Sequence, residues 1–197
     1  MELLFALILF SFVGSITPGP NNILIMSSGL IFGIRKSLPH YLGICVGFPT
    51  MLLLAGIGVG ELFIRFVLLH KIIKIVGAVY MVYLAWQIAR SHMKVNEITR
   101  VQPFTFLQAF LFQWVNPKAW VMGMSAIAAY TIPDTSVVYQ ICVICLIFTI
   151  VGIPSVGVWL FFGAFLRNFL KDTTHRKYFN YTMSILLLIS VALIFLE

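Results

Sequence analysis

Two short stretches of this chain combine residue types suited to binding a small charged molecule. They are Thr17-Pro18-Gly19-Pro20-Asn21-Asn22 and Gln113-Trp114-Val115-Asn116-Pro117-Lys118, each setting proline beside side-chain amides. Proline has no N–H, so Pro18 and Pro20 deprive the carbonyls of Gly14 and Ile16 of helical donors, and Pro117 does the same to Gln113. A helix that restarts at Pro20 or Pro117 offers unpaired N–H groups and a partial positive charge, which suit a carboxylate. The released carbonyls, with the amide oxygens of Asn21, Asn22, Asn116 and Gln113, suit an ammonium. Together they describe a site for a zwitterion, a free amino acid, if both stretches lie at one depth. The candidate substrate-binding set is therefore Thr17, Pro18, Gly19, Pro20, Asn21, Asn22, Gln113, Asn116, Pro117 and Lys118. No catalytic residue, metal ligand set or cofactor motif accompanies it.

Each residue also has a plainer role. Asparagine is a common helix N-cap, so Asn21, Asn22 and Asn116 would serve as caps for the half-helices that begin beside them. Capping and ligand binding are compatible. Lys118 is the one cation that no connecting loop explains, and a charge at a helix centre in lipid costs about 2.5–3.5 kcal/mol. Either it faces an anionic group of the substrate, or it snorkels to an interface or pairs with Glu61, the one carboxylate inside an apolar segment.

The elements that must position these residues are membrane helices. Of 197 residues, 61% are hydrophobic and 10% charged, far outside soluble averages. A bilayer core takes roughly 20 apolar residues per helix, and segments 2–32, 39–64, 72–90, 104–130, 136–166 and 179–196 meet that standard. Nothing is left for a soluble catalytic domain. Runs such as Ile185 to Ile189 do not alternate, which excludes a β-barrel. The expected fold is all-α: a polytopic, single transmembrane domain over 1–197, with about six spanning helices. The first segment lacks the basic start and small-residue cleavage site of a signal peptide, so it is expected to be retained. Pro39, behind Ser37, is expected to open helix two, Pro103 to open helix four, and Pro133-Asp134 to mark a turn.

The two proline-amide clusters interrupt helices one and four, the first of each half. Superposing Pro20 on Pro117 also brings Ser28 onto Ser125. Three helices per half make the halves enter the membrane from opposite sides. This is the inverted-repeat plan of many secondary transporters, whose broken helices meet near the midplane. Repeat one runs over about 1–92 and repeat two over about 103–197.

The net charge of +7 follows the connections instead of forming one patch, so nucleic acid is not an expected partner. Arg35 and Lys36, then Arg90, Lys94 and Arg100, then Arg167, Lys171, Arg176 and Lys177 occupy alternate connections. Only Arg65, Lys71 and Lys74 occupy the others. The positive-inside rule then places both termini outside and the first, third and fifth connections in the cytoplasm. Gly43 and Gly47, four residues apart, are expected to pack a helix closely on a neighbour, as is Gly56-Ile57-Gly58-Val59-Gly60; no Walker A pattern is present. Cys45, Cys142 and Cys145 lie in apolar helices and form no disulfide framework. They permit a different class of function, a membrane thiol-disulfide carrier, and a non-transporting assembly protein is a third. In either case the broken helices would hold no cargo.

Ser15-Ile16-Thr17-Pro18-Gly19-Pro20-Asn21-Asn22, followed by Gly33-Ile34-Arg35-Lys36-Ser37, resembles the N-terminal signature of LysE/RhtB-type amino-acid exporters. Asn116-Pro117-Lys118 is similar to that family's second motif. Gly43 to Gly47, Ala85-Trp86 and Trp159 to Gly163 fit its pattern too, so the likeness covers nearly the whole chain. Within the family, Pro20-Asn21-Asn22-Ile23-Leu24 is most similar to the cysteine and O-acetylserine exporters, with homoserine and threonine exporters as neighbours. The resemblance implies efflux of a small amino acid or derivative across a bacterial inner membrane, driven by protons or another ion. It implies no cofactor, and partners limited to substrate, lipid bilayer and, as an allowed assembly, a homodimer.

Overall fold

The computed structural model describes residues 2–59, 67–90, 102–132, 136–169 and 173–194, and these are helical apart from short connections. In chain order the helices are α1 (Glu2–Ile16), α2 (Pro20–Phe32), α3 (Ile34–Leu54), α4 (Val67–Arg90), α5 (Phe106–Val115), α6 (Pro117–Tyr130), α7 (Val137–Phe169) and α8 (Thr173–Ile194). A π-helical turn over Ala55–Val59 extends α3.

The outer surface is apolar. Phe5, Val79 and Ile150 are each more than 60% exposed, and every helix except α2 carries exposed large hydrophobics. Water would make such a surface an aggregation liability, whereas lipid tails solvate it. By length and apolarity, Ile34–Gly58 and Val137–Arg167 can each cross a bilayer, and α1 with α2 forms a third span bent by 51°. Among the described residues the other three expected segments do not reach that standard as single helices. The protein is a multi-pass membrane protein on this evidence of surface and span.

Both expected interruptions are present. Helix one breaks at 17–19 into α1 and α2. Helix four breaks at the single residue Asn116, whose extended backbone (φ −88°, ψ 107°) separates α5 from α6. Pro39 does not open helix two. The helix begins at Ile34 and holds Pro39 inside it. The reason is Gly33, whose φ of +77° reverses the chain directly after α2. A left-handed residue there suits glycine. Ser37 is correspondingly a bonding partner of Ser28, with Oγ atoms 2.8 Å apart, and not a cap. Pro103 lies just outside helix four. Thr105 begins it, its hydroxyl accepting from the Gln108 N–H while the Gln108 side chain accepts from the Thr105 N–H. This is a reciprocal capping box. Pro133 and Asp134 lie outside the described residues.

Helices in lipid gain little from hydrophobic association and depend on close packing and polar contacts. The glycines show this. A Cβ on Gly43 would clash with the Phe106 carbonyl oxygen, and one on Gly47 would lie 2.8 Å from Phe110 Cα, so α3 and α5 touch backbone to backbone. Gly163 and Gly29 do the same for α7 and α2: their Cβ atoms would lie 2.0 Å from the Met26 oxygen and 2.5 Å from the Leu160 oxygen. Gly56 faces Ile141 of α7, whereas Gly58 (φ +130°) has open space beside it and Gly60 lies outside the described residues. The result is a deeply buried α2, from Asn22 to Leu30, held between α7 and α3, with α4 packed on α8.

Candidate functional site

The first break can be read carbonyl by carbonyl, because an unpaired backbone group inside a membrane costs several kcal/mol. The Thr17 N–H donates to Val13 O at 3.1 Å and the Thr17 hydroxyl to Gly14 O at 3.1 Å. Asn22 Nδ2 donates to Ser15 O at 2.7 Å and to Thr17 O at 2.8 Å. The Trp159 indole of α7 donates to Ile16 O at 3.0 Å. Lys118 Nζ donates to Thr17 O at 2.8 Å, Thr17 Oγ1 at 2.9 Å and Pro18 O at 3.2 Å. The Ile23 N–H donates to Gly19 O at 2.9 Å. Every carbonyl from Val13 to Gly19 therefore has a donor.

The asparagine caps that the plainer reading of the sequence allowed are absent at these two helix starts. Neither Gly19 nor Asn116, the residues at the cap positions of α2 and α6, makes a side-chain cap hydrogen bond. Asn22 instead turns backward and serves Ser15 O and Thr17 O at the end of α1, because carbonyls left open by the break need donors more than the helix start needs an acceptor. Asn21 and Gln113 exchange two bonds: Asn21 Nδ2 to Gln113 Oε1 at 2.7 Å, and Gln113 Nε2 to Asn21 Oδ1 at 3.2 Å. Gln113 Nε2 also donates to Ala109 O at 2.8 Å. This amide pair joins the two breaks side by side.

Lys118 commits its three N–H groups to Thr17 and Pro18. Its aliphatic stem lies against Gly19, where a Cβ would meet Lys118 Cδ at 2.6 Å. The ammonium thus lies at the broken end of α1, and its alternative partner Glu61 lies outside the described residues.

Between the breaks and α3 and α7 lies a cavity with about 60 Å³ of water-accessible space. One water needs on the order of 10–15 Å³ by the same measure, so several waters or one small zwitterion fit. Its polar wall includes Ser15, Gly19, Asn21, Asn22, Asn116 and Lys118. Its apolar wall includes Ile44, Phe48, Phe148 and Val156, with the Phe48 and Phe148 rings edge-on at 5.3 Å. Asn116 is 2% exposed and its Oδ1 has no hydrogen-bond partner. Five of the ten sequence-nominated residues thus face the cavity. Thr17 and Pro18 stand behind as anchors of Lys118, Gln113 as the partner of Asn21, and Pro20 and Pro117 as the first residues of the half-helices.

Sequence reasoning passed over Trp159 as a site residue, although the N–H of a half-buried indole in an apolar segment demands an acceptor. It also passed over the apolar wall, whose members carry no chemical signal. Of the cysteines, Cys45 borders the cavity, while Cys145 lies under α3 with its Sγ 3.7 Å from Pro49 O. Cys142 is exposed, and all three are free thiols.

Comparison with known proteins identifies the family. Residues 12–197 match the LysE type translocator family. The cysteine/O-acetylserine efflux proteins of Escherichia coli O139:H28 (strain E24377A / ETEC), Escherichia coli (strain K12) and Shigella flexneri serotype 5b (strain 8401) are similar. Each is 29% identical over 187 residues, covering 94% of this chain and 94% of the relative. No solved structure matches the chain. With the family match spanning nearly all its length, the chain belongs to the LysE type translocator family and is a translocator, not an enzyme.

Proposed function

We propose that this protein exports a small amino acid or derivative, bound between the two broken helices and driven by an ion gradient. The observation that carries the reading is the cavity at the joined breaks. There Asn116 Oδ1 is buried without a partner, beside a lysine ammonium and two helix starts. The cargo's ammonium supplies the donor that Asn116 lacks. Its carboxylate is drawn to the charge of Lys118 and to the first N–H groups of α2 and α6, which have no intrahelical acceptor. The apolar wall accepts a short side chain. The relatives, which are cysteine/O-acetylserine efflux proteins, make cysteine and O-acetylserine the first cargoes to test.

The same reading includes two inverted three-helix repeats, about 1–92 and 103–197, in a bacterial inner membrane. The packing supports it: α1 lies on α7 and α5 on α3, as the exchange of halves requires. The two halves are not equivalent in detail, since Ser28 is buried and bonded while its counterpart Ser125 is exposed. Both termini on the periplasmic side follow from the basic connections. Arg90 stacks on Trp86 at 4.1 Å and Lys177 lies over Tyr181 at 5.7 Å, cation–aromatic pairs of the kind found at membrane interfaces.

The test is transport. Vesicles preloaded with labelled cysteine or O-acetylserine should release it faster with the protein than without, and faster again under an imposed pH gradient. Equal release from preloaded vesicles without the protein would end the exporter reading. Release insensitive to pH but responsive to sodium would change only the coupling ion.

A further inference from the structure

A second cavity lies at the other end of α2. It too holds about 60 Å³ of water-accessible space, between α2, the start of α3, the end of α4 and residues 102–104. Two of its lining residues are unusual. Ser27 and His40 are each 3% exposed, and neither Ser27 Oγ nor His40 Nδ1 has a hydrogen-bond partner. Buried polar atoms are nearly always paired, so two orphans lining one cavity point to an occupant that pairs them. The rest of the lining defines that occupant. No lysine, arginine, aspartate or glutamate is among the described lining residues. α2 presents Ser27 and Ser28, α4 presents Leu84, Gln87 and Ile88, and the 102–104 segment presents Gln102 and Phe104. A net charge would have no counter-ion here, whereas a small molecule of zero net charge with donors and acceptors is matched.

The first cavity meets α2 at Asn21 and Asn22, and the second meets it at Ser27 and Ser28. Six residues of helix separate Asn22 from Ser28, about 9 Å at the α-helical rise. That is a step a small amino acid can take along one rigid rod.

We infer that the Ser27–His40 cavity is a second station for the same net-neutral cargo, on the side of the membrane that the first, third and fifth connections face. The inference rests on the reading of the first cavity as a cargo site. Ser27 Oγ and His40 Nδ1 contact the cargo's polar groups, and Leu24, Ile31 and Phe104 surround its apolar part.

Equilibrium dialysis of the full chain against labelled O-acetylserine tests it. Wild type should saturate at two per chain. His40→Phe keeps a ring against Phe104, whose centroid lies 5.0 Å from that of His40, but removes the nitrogens. It should saturate at one, with the remaining affinity within about twofold and with transport reduced about tenfold or more. Ser27→Ala should act the same way. In a chain whose native cysteines are serine, Ser27→Cys should react with a charged thiosulfonate reagent from one side only, and O-acetylserine should slow that reaction. Wild-type saturation at one, unchanged in His40→Phe, overturns the second station and leaves the first. Saturation at zero overturns both. Saturation at one that His40→Phe abolishes and Lys118→Gln spares puts the cargo in the second cavity alone and overturns the first-site reading. A Ser27→Cys that reacts without protection marks a cavity filled by water only, which also overturns the second station.

Discussion

Lys118 is where residue chemistry has most to decide. Its ammonium already satisfies the carbonyls of Thr17 and Pro18, so it both closes the first break and lends charge to the cavity. Replacing it by Gln removes a charge-assisted contact worth roughly 1.5–3 kcal/mol, which corresponds to about ten- to a hundredfold in cargo affinity. Lys118→Arg should rescue only in part, because a planar guanidinium cannot reach three acceptors arranged around a point. Dialysis on folded variants measures both, and unchanged binding in Lys118→Gln would remove this residue from the site. The amide pair makes a separate prediction. Asn21→Ala strands the Oε1 of Gln113, a fully buried side chain whose Nε2 keeps Ala109 O, at a cost of about 1–3 kcal/mol. Asn21→Leu with Gln113→Leu strands neither and should restore part of the thermal stability in detergent, though not transport. Additive losses in the double variant would show that the pair is not coupled.

At the scale of the element, the interruption itself is the device. Alanine at Pro18, Gly19 and Pro20 restores backbone donors and helix propensity, so α1 and α2 should fuse into one straight helix. Thr17 O and Pro18 O would then be taken by the helix and Lys118 would lose its anchor. The variant should insert normally and transport nothing; wild-type efflux at equal expression would show that the break is dispensable. The close crossing of α2 and α7 predicts a different failure. A methyl at Gly163 must displace the Met26 backbone, and overpacking of this kind costs typically about 1–3 kcal/mol. Gly163→Ala should lower the melting temperature in detergent. Ala at Gly152, where the nearest contact is Ser15 Oγ at 3.9 Å, should not.

For the whole molecule, orientation is the open quantity that the charges address. Single cysteines at Ser91 and Asp134, both outside the described residues, should label from the cytoplasmic and periplasmic sides respectively. The opposite pattern would invert the protein and exchange the sides assigned to its cavities. Arg65, Lys71 and Lys74 oppose the bias, so the experiment is a real contest and not a formality.

The sequence by itself determined the class and the breaks. A surplus of apolar residues leaves no alternative solvent but lipid, and Pro18, Pro20 and Pro117 remove donors wherever they are placed. It also nominated the deep amides and Lys118, because polar groups in such segments are costly and so conspicuous. What it did not determine is which group answers which. Asn22 as a donor to the chain behind it, Trp159 on Ile16 from across the bundle, and the Asn21–Gln113 exchange join residues 5 to 143 positions apart. Local spacing holds no record of them. Capping was the plainer alternative, because it is the nearest bond an asparagine can make. The tertiary structure overrode it because the orphaned carbonyls of the first break, brought within reach by the 51° bend, were the costlier groups to leave unpaired.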